Sequence, residues 1–263
     1  MKNVLHIVRH PVSSLRWKWN AIQHSRRCYG CGHTFGHFHP FRDGLKACSP
    51  FILQLDVIGS DVKNFGCPYC DCHDRIRHLL MYFDRLHFWD KMKGASVLHF
   101  APEGELSRRI EQCGPRVYCK ADLHPAGPGV EKIDLMAIPF QNGTFDVAIC
   151  NHVLEHVPDD AAALRELRRV LRPGGCAVLQ TPYSRLLTHT FCDSGIDTDE
   201  LRLWFYGQED HVRLYGRDLF DRISETGLLI SAHTHASLLA DLDPMYYGVN
   251  RDEDLVLAFA PTQ

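Results

Sequence analysis

The chain has 263 residues, of which 45% are hydrophobic and 23% charged, a composition typical of a folded globular protein and not of a disordered one. With 29 basic and 32 acidic residues the formal net charge is −3, which argues against a polycation built for nucleic acid. No apolar run approaches the length of a membrane span, and the N-terminus lacks the pattern of a secretory signal. We therefore expect a cytoplasmic protein without a membrane span.

Residues 1–27 form a basic arm that precedes Asp43, the first acidic residue of the chain. Its charge comes from six lysines and arginines, and Trp17 and Trp19 lie among them. Arms of this kind bind RNA, anionic lipid or an anionic substrate, but a packed or solvated terminal extension has the same composition. We favour the second interpretation.

Residues 28–92 begin with two CxxC pairs, Cys28–Cys31 and Cys67–Cys70. Each pair can direct two thiolates at one ion, so the two pairs predict a tetrahedral, structural Zn²⁺ site in a small zinc-ribbon-like module. The 35 residues between the pairs exceed the common zinc-ribbon spacing. Possible substitutes for one ligand are therefore Cys48, Cys72, His33 and His73. Thiolate ligands also fit a reducing compartment.

The elements predicted beyond the cysteines alternate between helices and strands. A connecting helix is expected over 74–92. Strands are predicted at 95–100, 116–120, 130–133, 145–150, 176–181, 228–232 and 255–260, and helices at 105–112, 159–171 and 217–225. This alternation predicts an α/β fold with a Rossmann-like, doubly wound, seven-stranded and mostly parallel sheet. Sheets of this type bind ligands at the carboxyl ends of their strands.

The stretch from Pro139 to Pro182 carries the most specific signal. It places a strand (FDVAIC), a polar turn (NHVLEH), an amphipathic helix, a Pro-Gly-Gly turn and a second strand in a fixed order. This order resembles the class I S-adenosylmethionine-dependent methyltransferases, in particular the type 11 group. A bacterial set of these enzymes, linked to polysaccharide or natural-product gene sets, is similar in LHFAPE, ADL, GQEDHVRLYG and the N-terminal CxxC and CPxC.

That resemblance covers about residues 28–260 and implies a methyltransferase domain over 93–263, with a substrate-binding insertion near 182–216. It implies S-adenosylmethionine as cofactor, bound by His99, Phe100, Ala101 and Glu103 at the methionine part, Asp122 and Leu123 at the ribose, Asp134 and Leu135 at the adenine, and Asn151 and His152. The chemistry agrees, because the ribose diol and the adenine amine each need an acceptor. The family's glycine-rich first loop is replaced by LHFAPEGELS, in which Gly104 is the only glycine.

Methyl transfer to a hydroxyl requires an aligned acceptor and a base for its proton. Two polar clusters, at 151–156 and at 204–216, supply the candidates. We predict His211, His156, Asp210 and His152 as catalytic residues, with Asp210 orienting His211 as the base. We predict Glu155, Arg213 and Tyr206 as substrate-binding residues. The alternatives are a helix-cap role for His156, a structural acceptor role for Glu155, and a loop latch in which Arg213 pairs with Asp122 or Glu103.

A second metal is also left open. The ubiquinone-biosynthesis O-methyltransferases are similar in the NHVLEH loop, where a set of Glu, Glu and His holds a divalent cation. This chain has His152 at the first of those positions, and Glu155 and His156 match the other two.

The favoured function is O-methylation of a small molecule or glycan. One alternative is N- or S-methylation of a natural product or peptide. Another is a non-catalytic zinc- or RNA-binding module on a decayed methyltransferase fold. The negative net charge and the acidic segment 193–200 argue against a nucleic-acid partner.

Overall fold

The computed structural model describes residues 25–262, so most of the basic arm predicted at 1–27 lies outside the described residues. The strands are β1 (Arg26–Arg27), β2 (Thr34–Phe35), β3 (Val57–Ile58), β4 (Ser96–Phe100), β5 (Val117–Asp122), β6 (Glu131–Lys132), β7 (Phe145–Cys150), β8 (Leu171–Val178), β9 (Tyr183–Ser184), β10 (Leu229–His233) and β11 (Leu255–Phe259). The α-helices are α1 (Pro50–Gln54), α2 (Asp74–Arg85), α3 (Gly104–Gln112), α4 (Asp160–Val170), α5 (Asp199–Tyr206), α6 (Leu219–Glu225), α7 (His235–Leu238) and α8 (Pro244–Tyr247). Short 3-10 turns cover Gly44–Ala47, Phe88–Lys91 and Leu154–His156.

The large sheet has seven strands in the order β10-β11-β8-β7-β4-β5-β6. Strand β11 runs antiparallel to both of its neighbours. The pairs β8–β7, β7–β4, β4–β5 and β5–β6 are parallel. The predicted α/β fold, Rossmann-like with a seven-stranded and mostly parallel sheet, is thus confirmed.

Alternate residues of the central strands face two different cores, as expected for a sheet that is covered on both sides. In β7, Val147 and Ile149 belong to one core, and Ala148 and Cys150 belong to the other. Buried residues of α2 and α3 complete the first core, and those of α4 and α6 complete the second. The sheet is therefore doubly wound.

The predicted boundaries hold best where local signals are strong. Strand β7 has the predicted bounds, and Asp159 caps α4 through its side chain, which accepts from the Ala162 amide. The strand predicted from 176 begins at Leu171 instead, because Leu171 pairs with Phe145. The Pro-Gly-Gly turn lies within this strand as an irregularity of the pairing. Helix α5, capped by Thr198, was not predicted.

The cysteine module (residues 28–73) shares a core with the sheet. Helix α2 leaves the module and packs its buried residues against the same core that contains Cys28 and Cys67. The boundary predicted between 92 and 93 therefore does not separate two cores. The helix predicted to reach 92 ends at Arg85, and a 3-10 turn follows after His87, whose φ of 51° lies in the left-handed region.

Arg77 fixes the module to the end of the chain. Its side chain is fully buried and lies over the Phe38 ring. Its guanidinium donates to the backbone carbonyls of Asn64, Phe65, Cys72, Tyr247 and Gly248. A buried cation needs such acceptors, and here they come from three separate segments.

Within residues 25–262 no helix is long and apolar enough to cross a membrane.

Candidate cofactor and active site

The carboxyl ends of β4 and β7 form a topological switch point. Strand β4 pairs with β5 on one side and with β7 on the other, so the loops that leave β4 and β7 diverge above the sheet. Each loop contains a non-glycine residue with positive φ, Ala101 at 47° and His152 at 53°. Such backbone costs on the order of 1 kcal/mol and concentrates at functional sites.

Glu103 connects the two loops. One carboxylate oxygen lies 3.1 Å from His99 Nε2, and the other accepts from Asn151 Nδ2 at 3.0 Å. The second ring nitrogen of His99 lies 2.8 Å from the Tyr118 hydroxyl. Burial raises the pKa of Glu103, but the hydrogen bond and charge of His99 outweigh burial and lower it. An ionised carboxylate therefore stands at the end of β4.

Two further carboxylates lie at the ends of the neighbouring strands, as predicted. Asp122 is the last residue of β5, and its Oδ1 accepts from the His124 amide at 2.7 Å. Asp134 follows β6, and its Oδ1 accepts from the Met136 amide at 2.8 Å. Within residues 25–262 the Oδ2 atom of each has no hydrogen-bond donor, so each can accept from a ligand.

The apolar residues beside these acids differ in exposure. Phe100 and Leu135 are buried in the core, whereas Leu123 is 47% exposed next to Asp122. Leu123 therefore presents an apolar surface at the carboxyl edge of the sheet. Leu135 packs in the core at the loop that follows β6.

His152 lies between two glutamates. Its Nε2 is 2.9 Å from Glu253 and its Nδ1 is 3.4 Å from Glu155, and all three side chains are buried. Burial and the Arg75 charge lower the pKa of His152, but hydrogen bonds to Glu155 and Glu253 raise it to about 9. The imidazole is therefore charged at neutral pH. A charged imidazole cannot accept a proton, which argues against the predicted catalytic role of His152. Glu253 was missed because it lies about 100 residues away in the chain.

The predicted Asp210–His211 pair is not formed. The Nδ1–H of His211 donates to the Tyr206 carbonyl at 3.1 Å, and its Nε2 lies 2.6 Å from the Gln208 amide nitrogen. The Asp210 carboxylate lies instead 3.3 Å from Nδ1 of His156. The structure therefore replaces the predicted pair with His156 and Asp210, because His211 is held inside the 204–216 segment by its own neighbours.

Arg213 is a latch and not a free substrate-binding cation. Its side chain is buried, Nη1 lies 2.6 Å from Asp160, and Nη2 donates to the carbonyls of Val157 and Pro158. The expected latch partners were Asp122 and Glu103, so the structure corrects both the role and the partner. The latch holds the 204–216 segment against the loop that follows β7.

Tyr206 and Glu155 are also engaged within the protein. The buried Tyr206 hydroxyl accepts from the Asp193 amide at 2.9 Å. Glu155 accepts from the Thr181 hydroxyl at 2.7 Å and pairs with His152. Both side chains are thus held by protein partners, which argues against their predicted substrate-binding roles. Glu155 also belongs to a group with the spacing of metal ligands.

Two groups of side chains have the spacing of metal ligands. The ligand atoms of Cys28, Cys31, Cys67 and Cys70 lie within 4.8 Å of one another. The sulfur atoms of Cys28 and Cys70 are 3.7 Å apart and those of Cys31 and Cys67 are 3.8 Å apart. At the usual Zn–S distance of about 2.3 Å, sulfurs at the corners of a tetrahedron are about 3.8 Å apart. The predicted ligand set therefore fits zinc.

The second group is Glu155, His156 and His211, whose ligand atoms also lie within 4.8 Å of one another. It differs from the expected set in one member, since His211 takes the place of His152. The exchange follows from the ion pair of His152 with Glu253, which turns that ring away from the role of a neutral ligand.

A polar cavity of about 570 Å³ opens at the same carboxyl edge, beside the segments that follow β8 and β10. Charged residues of both signs line it, namely Arg185, Arg251, Asp243, Asp252 and Asp254. Another cavity, of about 500 Å³, lies at the amino ends of the strands and is lined by Lys91, Lys93, Arg116 and Arg172. Because parallel sheets bind ligands at their carboxyl edge, the first cavity is the candidate for an acceptor.

The chain is similar in part to known methyltransferases. Residues 94–179 match a protein family described as a methyltransferase domain. An uncharacterized methyltransferase of Mycobacterium avium is 31% identical over 134 residues, which cover 45% of this chain and 52% of that protein. A ubiquinone biosynthesis O-methyltransferase of Paraburkholderia xenovorans is 34% identical over 82 residues, which cover 29% and 35%. Residues 94–179 thus form a region that is similar to methyltransferase domains.

The matches are partial. An uncharacterized 37.1 kDa protein in transposon TN4556 of Streptomyces fradiae is 37% identical over 100 residues, covering 38% of this chain and 25% of that protein. The chain therefore spans between a quarter and about half of the length of these curated relatives. A crystal structure of an S-adenosylmethionine dependent methyltransferase from Mesorhizobium loti superposes with a TM-score of 0.47 at 18% identity, covering 68% of this chain and 97% of that one.

Proposed function

We propose that this chain is an S-adenosylmethionine-dependent methyltransferase that methylates an oxygen of a small molecule or glycan. The observation that carries the proposal is a row of acceptors along one sheet edge. In the order of the strands, these are Asn151 after β7, Glu103 after β4, Asp122 at β5 and Asp134 after β6. An amino acid, a ribose and an adenine joined in that order require such a row.

These residues would hold the cofactor in a defined orientation. Asp122 would accept from the ribose hydroxyls and Asp134 from the adenine amine, while Glu103 and Asn151 would face the amino acid. When bound, S-adenosylmethionine supplies a methyl group on a positively charged sulfur. The Ala101 backbone provides the close approach that a glycine usually permits, because Ala101 adopts positive φ with only a methyl side chain.

The residues that would act on the methyl acceptor support oxygen as the methylated atom. A hydroxyl must lose its proton. Nδ1 of the half-buried His156 lies 3.2 Å from the backbone carbonyl of Asp210 and 3.3 Å from its carboxylate, so that Nε2 can take this proton. The similar protein named as an O-methyltransferase supports the same choice.

A cation at Glu155, His156 and His211 is the competing use of the same histidine. Nδ1 of His156 is occupied by Asp210, so only Nε2 is left for either a metal ion or a substrate proton. The two roles exclude each other. Metal beyond one zinc per chain, lost on changing His211, would favour the cation.

We also propose that Cys28, Cys31, Cys67 and Cys70 hold one structural zinc ion, because the sulfur spacing matches a tetrahedron. Cys72 lies beside the set, and its proximity lowers the pKa of Cys28 and of Cys70 below the usual thiol range. Such thiolates persist in a reducing compartment, which supports a cytoplasmic location.

Changing Asp122 to alanine should weaken binding of both S-adenosylhomocysteine and 5′-methylthioadenosine by about 10- to 100-fold. Both ligands contain the ribose, and a hydrogen bond to a charged group contributes about 1.5–3 kcal/mol. Isothermal titration of the two ligands measures the effect. Asp197→Ala, in an exposed loop, is the matched control and should leave both affinities unchanged. Absence of binding to the unmodified protein would refute the proposed function.

Changing His156 to alanine should lower kcat by about 100-fold and leave the affinity for S-adenosylhomocysteine unchanged, because the ring acts on the acceptor and not on the cofactor. Turnover is measured by transfer of a labelled methyl group to an acceptor found by screening hydroxyl compounds. His37→Ala, at an exposed position of the module, serves as the control. Unchanged turnover would remove His156 as the base.

A further inference from the structure

Arg75 lies at the start of helix α2, which leaves the cysteine module. It lies in the first turn of α2, directly after Asp74, whose carboxylate accepts from the Asp61 amide at 2.5 Å. Two residues later, Arg77 is fixed by five backbone carbonyls. The backbone of Arg75 is thus held firmly on both sides.

Among the residues that the structure describes, the guanidinium of Arg75 has no partner. Its Nε atom is buried without a hydrogen bond, and within residues 25–262 none of its nitrogens forms a hydrogen bond or ion pair. Arg77 and Arg213 are buried too, but each donates to several oxygens. A cationic group that is partly withdrawn from water gains free energy from an anionic partner, so the unpaired Arg75 indicates a ligand.

The charge of Arg75 acts on both loops of the switch point. Next to burial, it is the main influence that lowers the pKa of His152, at the end of β7. Together with His99 it also lowers the pKa of Glu103, at the end of β4. The guanidinium is therefore within electrostatic reach of both loops, although the oxygens of Glu103 bond to His99 and Asn151 and not to Arg75.

An unpaired hydrogen-bond acceptor occurs at the carboxyl ends of β4 and β7, which we call the cofactor corner. Asn151 is 1% exposed, and its Nδ2 donates to Glu103. Its Oδ1 is buried, and no donor within residues 25–262 reaches it. Glu103 adds an ionised carboxylate. The corner therefore combines an unpaired cationic donor, one unpaired acceptor and an ionised carboxylate. This set is the complement of a zwitterion: a carboxylate on Arg75, and an ammonium on Glu103 and Asn151.

We propose that Arg75 binds the α-carboxylate of the amino acid part of the cofactor, so that the cysteine module contributes directly to the cofactor site. This inference rests on the proposed function and assigns one recognition contact within it. It gives the module a role in binding that a purely structural zinc knuckle lacks.

The test compares two ligands that differ in the amino acid part. S-adenosylhomocysteine carries the carboxylate and ammonium, and 5′-methylthioadenosine carries neither. For Arg75→Met we expect the affinity for S-adenosylhomocysteine to fall by about 10- to 100-fold and that for 5′-methylthioadenosine to stay unchanged, as measured by isothermal titration. Arg85→Met, at the exposed end of the same helix, is the control and should change neither affinity.

Equal losses for both ligands, or no loss for either, would overturn the assignment. Zinc content and thermal unfolding of each variant report on folding. If Arg75→Met is destabilised, the pair Arg75→Lys and Arg75→Gln takes its place: lysine should retain most of the affinity for S-adenosylhomocysteine and glutamine should not. If the unmodified protein binds neither ligand, the proposed function fails and not merely the role of Arg75.

Discussion

Replacing Cys67 with serine is expected to abolish zinc binding and most of the affinity for S-adenosylhomocysteine. A structural zinc site in a small module contributes about 10–16 kcal/mol, which is comparable to the whole stability of a typical domain. Cys67 is buried, and its sulfur lies 3.8 Å from that of Cys31. Without the ion, residues 28–73 lose the constraint that holds the start of α2.

The effect should spread beyond the module, because α2 belongs to the core on one face of the sheet. We therefore expect a lower Tm for the entire protein and not an isolated loss of the module. Zinc content, thermal unfolding and isothermal titration are measured on one sample. Cys192→Ser, an exposed cysteine outside the cluster, is the matched control. Zinc lost with stability and cofactor affinity unchanged would contradict the proposed role.

Replacing Asp160 with asparagine should lower the free energy of unfolding by about 3–5 kcal/mol at neutral pH. The buried carboxylate pairs with Arg213 and Arg222 and accepts from the Tyr215 hydroxyl. Removing its charge leaves the buried Arg213 without its counter-ion, and breaking a buried pair costs this amount. Urea unfolding of both proteins measures the difference, with Asp221→Asn on α6 as an exposed control.

The difference in the free energy of unfolding between the unmodified protein and Asp160→Asn should become smaller at acidic pH. Burial raises the pKa of Asp160, but Arg222 and Arg213 outweigh burial and hold it well below its usual range. Because the folded-state pKa lies below that of the unfolded chain, the stabilisation is present above about pH 4 and is lost as the pH falls toward the folded-state value. Loss of zinc at low pH affects both proteins alike, so the difference between them isolates Asp160. An unchanged difference between pH 7 and pH 3 would contradict this account.

The sequence predicted those parts of the molecule that depend on local signals. Buried strands read as apolar runs, Asp159 reads as a helix cap, and the acids at the ends of β5 and β6 follow directly from the strands. Two CxxC pairs likewise identify four sulfurs, because each knuckle is formed within four residues. These features require no knowledge of distant parts of the chain.

The contacts that decide the role of each polar side chain could not be predicted, because they join residues that are far apart in the chain. Arg213 meets Asp160 across 53 positions, and His152 meets Glu253 across 101. A pattern of residue types shows that a histidine or arginine is present, but not which carboxylate folding brings to it. The predicted Asp210–His211 pair failed in the same way: neighbours in the chain were separated by a turn that directs Asp210 to His156.

The core that the cysteine module shares with the large sheet also affects the order in which the protein can fold during synthesis. The cysteines and α2 leave the ribosome before any strand of the large sheet, so the apolar side of α2 has no sheet to cover until residues 96–100 and 145–150 have been synthesised. Metal capture by the first 73 residues can precede that step, because all four sulfurs are already present. Zinc supply during translation would then govern how much nascent chain reaches the folded state and how much is lost to aggregation.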